Sequence, residues 1–261
     1  MRIRLGVLGA GRLGSAIAKT WHARARQSPL IWSRSGYCAH AQGRVAEGQW
    51  VTDWTKLLKA ESIVIAIPGH ALLKLAGDNE QARQFTGNVF SAAASLASSS
   101  LQQLFPRATI LCVAPFLIHG VKSIPMLALR PASLPLSRWL QAKAELECFG
   151  DIDVVEDEQV FSQIALLGAS WPVVVVSAVQ AAASAGLQRL EDQSASQVGR
   201  RIFLRAIQSL LANGAGSQEL AGEVATPGGI TERGLKSLGD VTTLFEHVFQ
   251  QMQARAEELR A

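Results

Sequence analysis

One turn limits what this chain can fold into more than any other feature. Gly9-Ala10-Gly11-Arg12-Leu13-Gly14 is a G-x-G-x-x-G set between a strand-like alternation (Ile3, Leu5 and Val7 against Arg2 and Arg4) and a helical stripe of Leu13, Ile17, Thr20 and Trp21. In that setting the first glycine permits a tight turn, the second lets backbone approach a pyrophosphate, and the third lets the helix pack closely on the strand. The helix start supplies unpaired N–H groups and a partial positive charge to phosphate. A dinucleotide site is therefore expected at Gly9, Gly11, Arg12, Leu13 and Gly14. The bland alternative is a strand-to-helix turn without a ligand.

The first 155 or so residues repeat the strand–helix alternation. Residues 29–32, 50–51, 62–67, 88–92 and 109–113 read as strands, with weaker signals at 124–129 and 152–155. The run at 62–67 is apolar throughout, as in a parallel sheet covered on both faces. Thr52-Asp53 offers an N-cap to a helix carrying Leu57 and Leu58, and Pro115 is expected to break the strand before it. These signals predict a doubly wound, Rossmann-type sheet over residues 1–157.

Strand 29–32 ends in Ser33-Arg34-Ser35. An acidic residue about 20 positions past the glycines holds a ribose 2′-hydroxyl, whereas arginine there accommodates a 2′-phosphate. Arg34 takes that place, and its planar fork matches phosphate. NADP(H) is thus preferred over NAD(H), a solvated loop arginine being the alternative. Ala66-Ile67-Pro68-Gly69-His70 closes the strand at 62–67, at the edge where ligands of such sheets sit. Ala66, Ile67 and Pro68 are cofactor-binding candidates; His70 is a loop histidine that could lie near the nicotinamide.

From about residue 157 strand signals stop. Residues 162–187 carry no charge, which raises a membrane reading, but Gln163, Gln180, the serines and the Trp171-Pro172 break oppose it. A helix apolar all round is otherwise buried in a large core or an interface. Too little chain follows to bury it, so residues 158–261 are expected to be an all-α domain sharing its core with a second copy in a homodimer or higher homo-oligomer. The last helix is amphipathic through Val241, Leu244, Phe245, Val248, Phe249 and Met252.

Composition excludes some classes. The formal net charge of +4 comes from scattered basic residues without interleaved aromatics, which argues against nucleic acid. Cys38, Cys112 and Cys148 form no C-x-x-C pair, so neither a zinc site nor a disulfide framework is expected and a cytoplasmic location is. The apolar run at the N-terminus stops at Gly9, unlike a signal peptide.

Thr226-Pro227-Gly228-Gly229-Ile230-Thr231 forms a second glycine turn, with Thr231 where a helix begins. Successive N–H groups there can cradle a small carboxylate. An ordinary helix connection with Thr231 as N-cap fits equally.

These motifs together resemble the pyrroline-5-carboxylate reductase family. The resemblance runs through Gly14-Ser15-Ala16-Ile17, Ser33-Arg34-Ser35, Ser91-Ala92-Ala93-Ala94, Glu158, Leu167-Gly168-Ala169-Ser170-Trp171-Pro172, Gly186-Leu187 and the 226–235 turn. It implies an N-terminal Rossmann-type domain, a C-terminal all-α dimerisation domain, and NADPH-dependent reduction of a carboxylated cyclic imine, foremost 1-pyrroline-5-carboxylate to L-proline. Gly228, Gly229, Ile230 and Thr231 would then bind substrate, with the turn of one subunit facing the nucleotide domain of the other. Thr231 would orient the imine nitrogen or pass a proton, with His70 as the outside candidate for general acid. Four departures stand out. Pro68-Gly69-His70 replaces the family's Lys-Pro-Gln, and Phe116-Leu117 replaces its Asn-Thr; Trp171 replaces a glycine, and Ile230 a threonine. All four fall on segments expected to border the nicotinamide and substrate. They open two other readings, a reductase of a bulkier imine and a catalytically silent NADP-binding homologue.

Overall fold

The computed structural model describes residues 4–34, 48–93, 96–116, 123–188, 191–212 and 229–259. Contacts divide the chain into two compact units, Met1–Ala169 with Met252–Ala261, and Ser170–Gln251.

The first unit is built on an eight-stranded sheet. Its strands are β1 (Leu5–Leu8), β2 (Leu30–Trp32), β3 (Gln49–Trp50), β4 (Ser62–Ile65), β5 (Asn88–Ser91), β6 (Thr109–Pro115), β7 (Met126–Leu129) and β8 (Ile152–Val155), in the spatial order β3-β2-β1-β4-β5-β6-β7-β8. All neighbours are parallel except β6 and β7, where Val113 faces Ala128 and Pro115 faces Met126. The strand order reverses at β1, between β2 and β4. Pro115 is the last residue of β6 rather than its breaker: it stands at the strand end, where a missing N–H is tolerated, and the Phe116 N–H resumes pairing with the Pro125 carbonyl at 2.8 Å.

Helices cover both faces, so the central strands are apolar on both sides. Successive side chains alternate between faces. Leu8, Ile63, Ile65 and Val89 join one cluster with Leu72, Leu101 and Phe105, while Val7, Val64, Phe90 and Leu111 join the other with Ile17, Trp21 and Trp139. The helices are α1 (Arg12–Ala25), α2 (Gly69–Ala76), α3 (Glu80–Gln84), α4 (Ser98–Leu104), α5 (Leu136–Leu146) and α6 (Glu158–Ala169). The segment expected as a helix around Leu57 is a 3₁₀ turn, Trp54–Lys59, with Asp53 as its N-cap through the Thr55 N–H at 2.9 Å. On the second face the rings of Trp21 and Phe149 stack tilted, 5.5 Å apart. Where β4 and β5 begin, buried Glu145 of α5 accepts a hydrogen bond from the Ser62 hydroxyl, which in turn accepts one from the Asn88 amide at 3.2 Å. The helix that opens the expected second domain, α6, packs on β6, β7 and β8.

The second unit is helical: α7 (Trp171–Leu187), α8 (Gln193–Ala212), α9 (Ile230–Ser237) and most of α10 (Val241–Glu258). Residues of α6 and α7, Glu158–Leu187, are long and apolar enough to cross a membrane. A turn at Ser170 and Pro172 in the first turn of α7 interrupt the stretch. Large apolar side chains stand open on these helices: Val173 is 66% exposed, Ile202 61% and Leu211 76%. Trp171 does not stand open in this way. It lies edge-on to Phe245 and Phe249, with ring centroids 5.7 and 5.2 Å away, so its bulk serves the packing of α7 against α10.

Candidate functional site

The glycine turn sits at the carboxyl edge of the sheet, where the strand order reverses, the position at which open α/β sheets bind ligands. Its shape follows from close backbone approaches. Gly9 adopts φ +110°, and its N–H donates to the Trp32 carbonyl at 2.8 Å, while the Ala66 N–H donates to the Leu8 carbonyl at 2.8 Å. Three strand ends are thereby tied together. A Cβ on Gly14 would stand 1.8 Å from the Gly9 carbonyl oxygen, so only glycine lets α1 start this close to β1. The Ser15 hydroxyl donates to the Ala10 carbonyl at 3.1 Å and holds the turn from inside.

Gly11 differs from its two neighbours. A Cβ there would meet no protein atom within 4 Å, so packing within the chain does not demand this glycine. It is the N-cap of α1 in extended conformation, without a side-chain cap, and the first turn holds no acidic residue. The leading amides of Arg12, Leu13 and Gly14 therefore have no intrahelical acceptor and no competing anion. Open space over Gly11 and bare helix amides fit a pyrophosphate.

The other predicted cofactor residues come to the same edge. Ser33 and Arg34 follow β2 on one side of β1, Ser33 half-buried and Arg34 exposed; Ser35 lies outside the described residues. Ala66 and Ile67, half-buried, and Pro68, exposed, follow β4 on the other side. Pro68 is the N-cap of α2, and His70 stands exposed in that helix's first turn. Beyond β5, the Ser91 hydroxyl accepts from the Ala93 N–H at 3.3 Å. Gly9 to Gly14, Ser33 with Arg34, and Ala66 to Pro68 thus gather at one edge of the sheet, although they are far apart in sequence.

The second predicted cluster belongs to the helical unit. Gly229 is the extended N-cap of α9, Ile230 is its first residue and 94% exposed, and Thr231 is its second and exposed; Gly228 lies outside the described residues. The reading of Thr231 as N-cap is corrected here, because Gly229 takes that position and leaves the Thr231 hydroxyl free of a capping role. The helix start again lacks a side-chain cap, and Glu232 in its first turn is paired with Lys236 Nζ at 2.7 Å. Among the described residues no group of His, Cys, Asp or Glu is arranged to hold a metal.

Two contacts had no sequence signal. The Glu158 carboxylate accepts from both the N–H (3.0 Å) and the hydroxyl (2.9 Å) of Ser98, joining the starts of α4 and α6. The ring of Phe116 lies against Gly168 of α6 so closely that a Cβ there would stand 2.5 Å from it. Both link segments distant in sequence, and neither partner belongs to a motif that names the other.

A doubly wound sheet with a glycine turn at its switch point, followed by a helical unit with open apolar faces, defines a dinucleotide-fold protein with an appended helical domain. Residues 158–259 match the family model described as pyrroline-5-carboxylate reductase dimerisation. The curated pyrroline-5-carboxylate reductase 2 of Bacillus subtilis (strain 168) is 30% identical over 126 residues, which are 46% of this chain and 44% of that protein, so the match spans less than half of the relative's length. The structure of a Plasmodium falciparum pyrroline carboxylate reductase with NADP bound superposes with a TM-score of 0.79 at 16% identity, covering 99% of this chain and 98% of that one. An imine reductase variant from Myxococcus stipitatus in complex with NAD+ shares the fold at a TM-score of 0.54 and 18% identity, over 82% of this chain and 75% of that one. Residues 158–259 are thus similar to the dimerisation part of the pyrroline-5-carboxylate reductases, and the chain shares their fold along its length.

Proposed function

We propose that the protein is an NADPH-dependent reductase of a cyclic imine carboxylate, with 1-pyrroline-5-carboxylate to L-proline as the foremost reaction. The observation that carries this reading is the presence of two helix starts without a side-chain cap, at Gly11 and at Gly229, in a chain whose residues 158–259 match the dimerisation model of these reductases. The first suits a pyrophosphate and the second a small carboxylate.

NADPH, when bound, supplies the hydride. The amides of Arg12, Leu13 and Gly14 hold its pyrophosphate, with Gly9 and Gly11 keeping the turn open. Ser33, Arg34 and Ser35 hold the 2′-phosphate, and so prefer NADP(H) over NAD(H). Ala66, Ile67 and Pro68 border the nicotinamide. The amides beside Gly228, Gly229, Ile230 and Thr231 seat the carboxylate and fix the imine carbon for attack, where orientation lowers the barrier. The protonated iminium is the better hydride acceptor. Thr231 is too weak an acid to protonate the nitrogen outright, so its hydroxyl orients that atom or passes a proton from water; His70 is the alternative donor. A homodimer completes the site, the turn of one subunit serving the nucleotide domain of the other.

NADPH oxidation is measured with 1-pyrroline-5-carboxylate, its six-membered analogue and bulkier imines in parallel. Turnover of a carboxylated cyclic imine is expected. Tight NADPH binding with no turnover of any imine overturns the reading in favour of a catalytically silent homologue.

A further inference from the structure

The carboxyl edge of the sheet continues past the cofactor residues. Neighbouring strands lie about 5 Å apart. In the spatial order β2-β1-β4-β5-β6, a dinucleotide with its pyrophosphate at β1 and its 2′-phosphate at β2 would run toward β4 and β5, which would bring the molecule it reduces toward β5 and β6. Phe116 is the first residue after β6 on that edge.

Its ring is held firmly. The Phe116 N–H is tied to the Pro125 carbonyl at 2.8 Å, and the side chain packs on the first core cluster, as those of Ile67, Leu96 and Ala114 also do. One side of the ring is covered by the bare backbone of Gly168: an added Cβ would come within 2.5 to 2.9 Å of three ring atoms. The absence of a side chain at Gly168 lets the aromatic group lie back against α6. Phe116 is only half-buried, so part of its apolar surface stays uncovered.

We infer that Phe116 is a specificity-determining residue, a fixed apolar wall that lets the site accept cyclic imine carboxylates bearing an apolar substituent beside the unsubstituted one, and that Gly168 is its positioning residue. The inference rests on the reductase reading above. The wall offers dispersion and burial to a hydrocarbon group and no hydrogen-bond partner to a polar one.

The test compares kcat/KM for 1-pyrroline-5-carboxylate and for its phenyl-substituted counterpart, which keeps the carboxylate. Phe116→Asn is expected to shift the ratio by at least about tenfold toward the unsubstituted imine, the scale of discrimination that an apolar pocket supplies. Gly168→Ala is expected to raise KM for the phenyl imine more than it lowers kcat, and Phe116→Leu in the same chain should restore that KM. The KM for NADPH should stay within about twofold throughout, since both positions lie beyond the cofactor residues. An unchanged ratio in Phe116→Asn overturns the inference. If the wild type turns over neither imine, the reductase reading fails separately. The wall is then read by calorimetric binding of proline and phenyl-substituted proline to the NADP+-loaded protein: a loss of at least about tenfold for the phenyl compound alone in Phe116→Asn supports it, and equal affinities in wild type and variant refute it.

Discussion

Under the proposed function, single residues would divide the two helix starts into different tasks. Arg34 stands exposed after β2, beside the strand that delivers the glycine turn. Losing a charge-assisted bond to phosphate costs about 1.5–3 kcal/mol, so Arg34→Ala should raise KM for NADPH roughly tenfold to a hundredfold and leave KM for NADH nearly unchanged. Equal effects on both would remove the 2′-phosphate assignment. Thr231 should behave oppositely: Thr231→Ala is expected to lower kcat about tenfold or more, in the range of a single proton-handling or orienting group, with NADPH affinity retained. A wild-type rate in that variant would end its proposed role. The glycines at 9 and 14 were legible because a fixed spacing reports a fixed backbone geometry. Gly168 was not, because its meaning depends on a ring from another strand. Trp171 was legible as a departure, but its ring contacts were not, since its partners Phe245 and Phe249 lie on a helix whose own stripe had already accounted for them.

Secondary-structure elements show a similar split. The buried strands could be read from apolar runs, because parallel strands covered on both faces leave no polar position to confuse the pattern. The antiparallel pairing of β6 with β7 could not, since the intervening segment carries no short hairpin signature. Cap chemistry gives a pH test at this scale. Asp240, ahead of α10, accepts bonds from the hydroxyl and the N–H of Thr243, the latter at 3.0 Å, and these hold its carboxyl below the ordinary carboxylate value. Asp53 and Asp192 are lowered in the same direction by Thr55 and Ser194. A lowered folded value means that the stabilisation is fully present above the unfolded carboxylate pKa of about 3.9 and is lost as pH falls through the folded one. Asp240→Asn should therefore have a lower Tm than wild type at pH 7, with the gap closing as the pH falls below about 4. Thermal melts followed by circular dichroism check this, and a gap that persisted into strong acid would contradict the cap.

At the level of the whole molecule, the open apolar faces of α7 and α8 are the strongest argument for a second copy. Val173, Ile202 and Leu211 would be covered in a homodimer, and activity should then fall with dilution as subunits separate, which sedimentation combined with specific-activity measurements can follow. A stable monomer with full turnover would refute the shared site. The uncharged stretch at 162–187 announced this need in sequence, and the similarity of residues 158–259 to a dimerisation domain fits a second copy as what meets it.

The buried trio of Ser62, Asn88 and Glu145 bears on the order in which the molecule is made. Ser62 and Glu145 are 83 residues apart, and a buried polar group left without its partner is costly. As the chain leaves the ribosome, the starts of β4 and β5 stay better solvated than buried until α5 has emerged. The glycine turn should therefore gain its finished sheet only once α5, far behind it in the chain, has been synthesised.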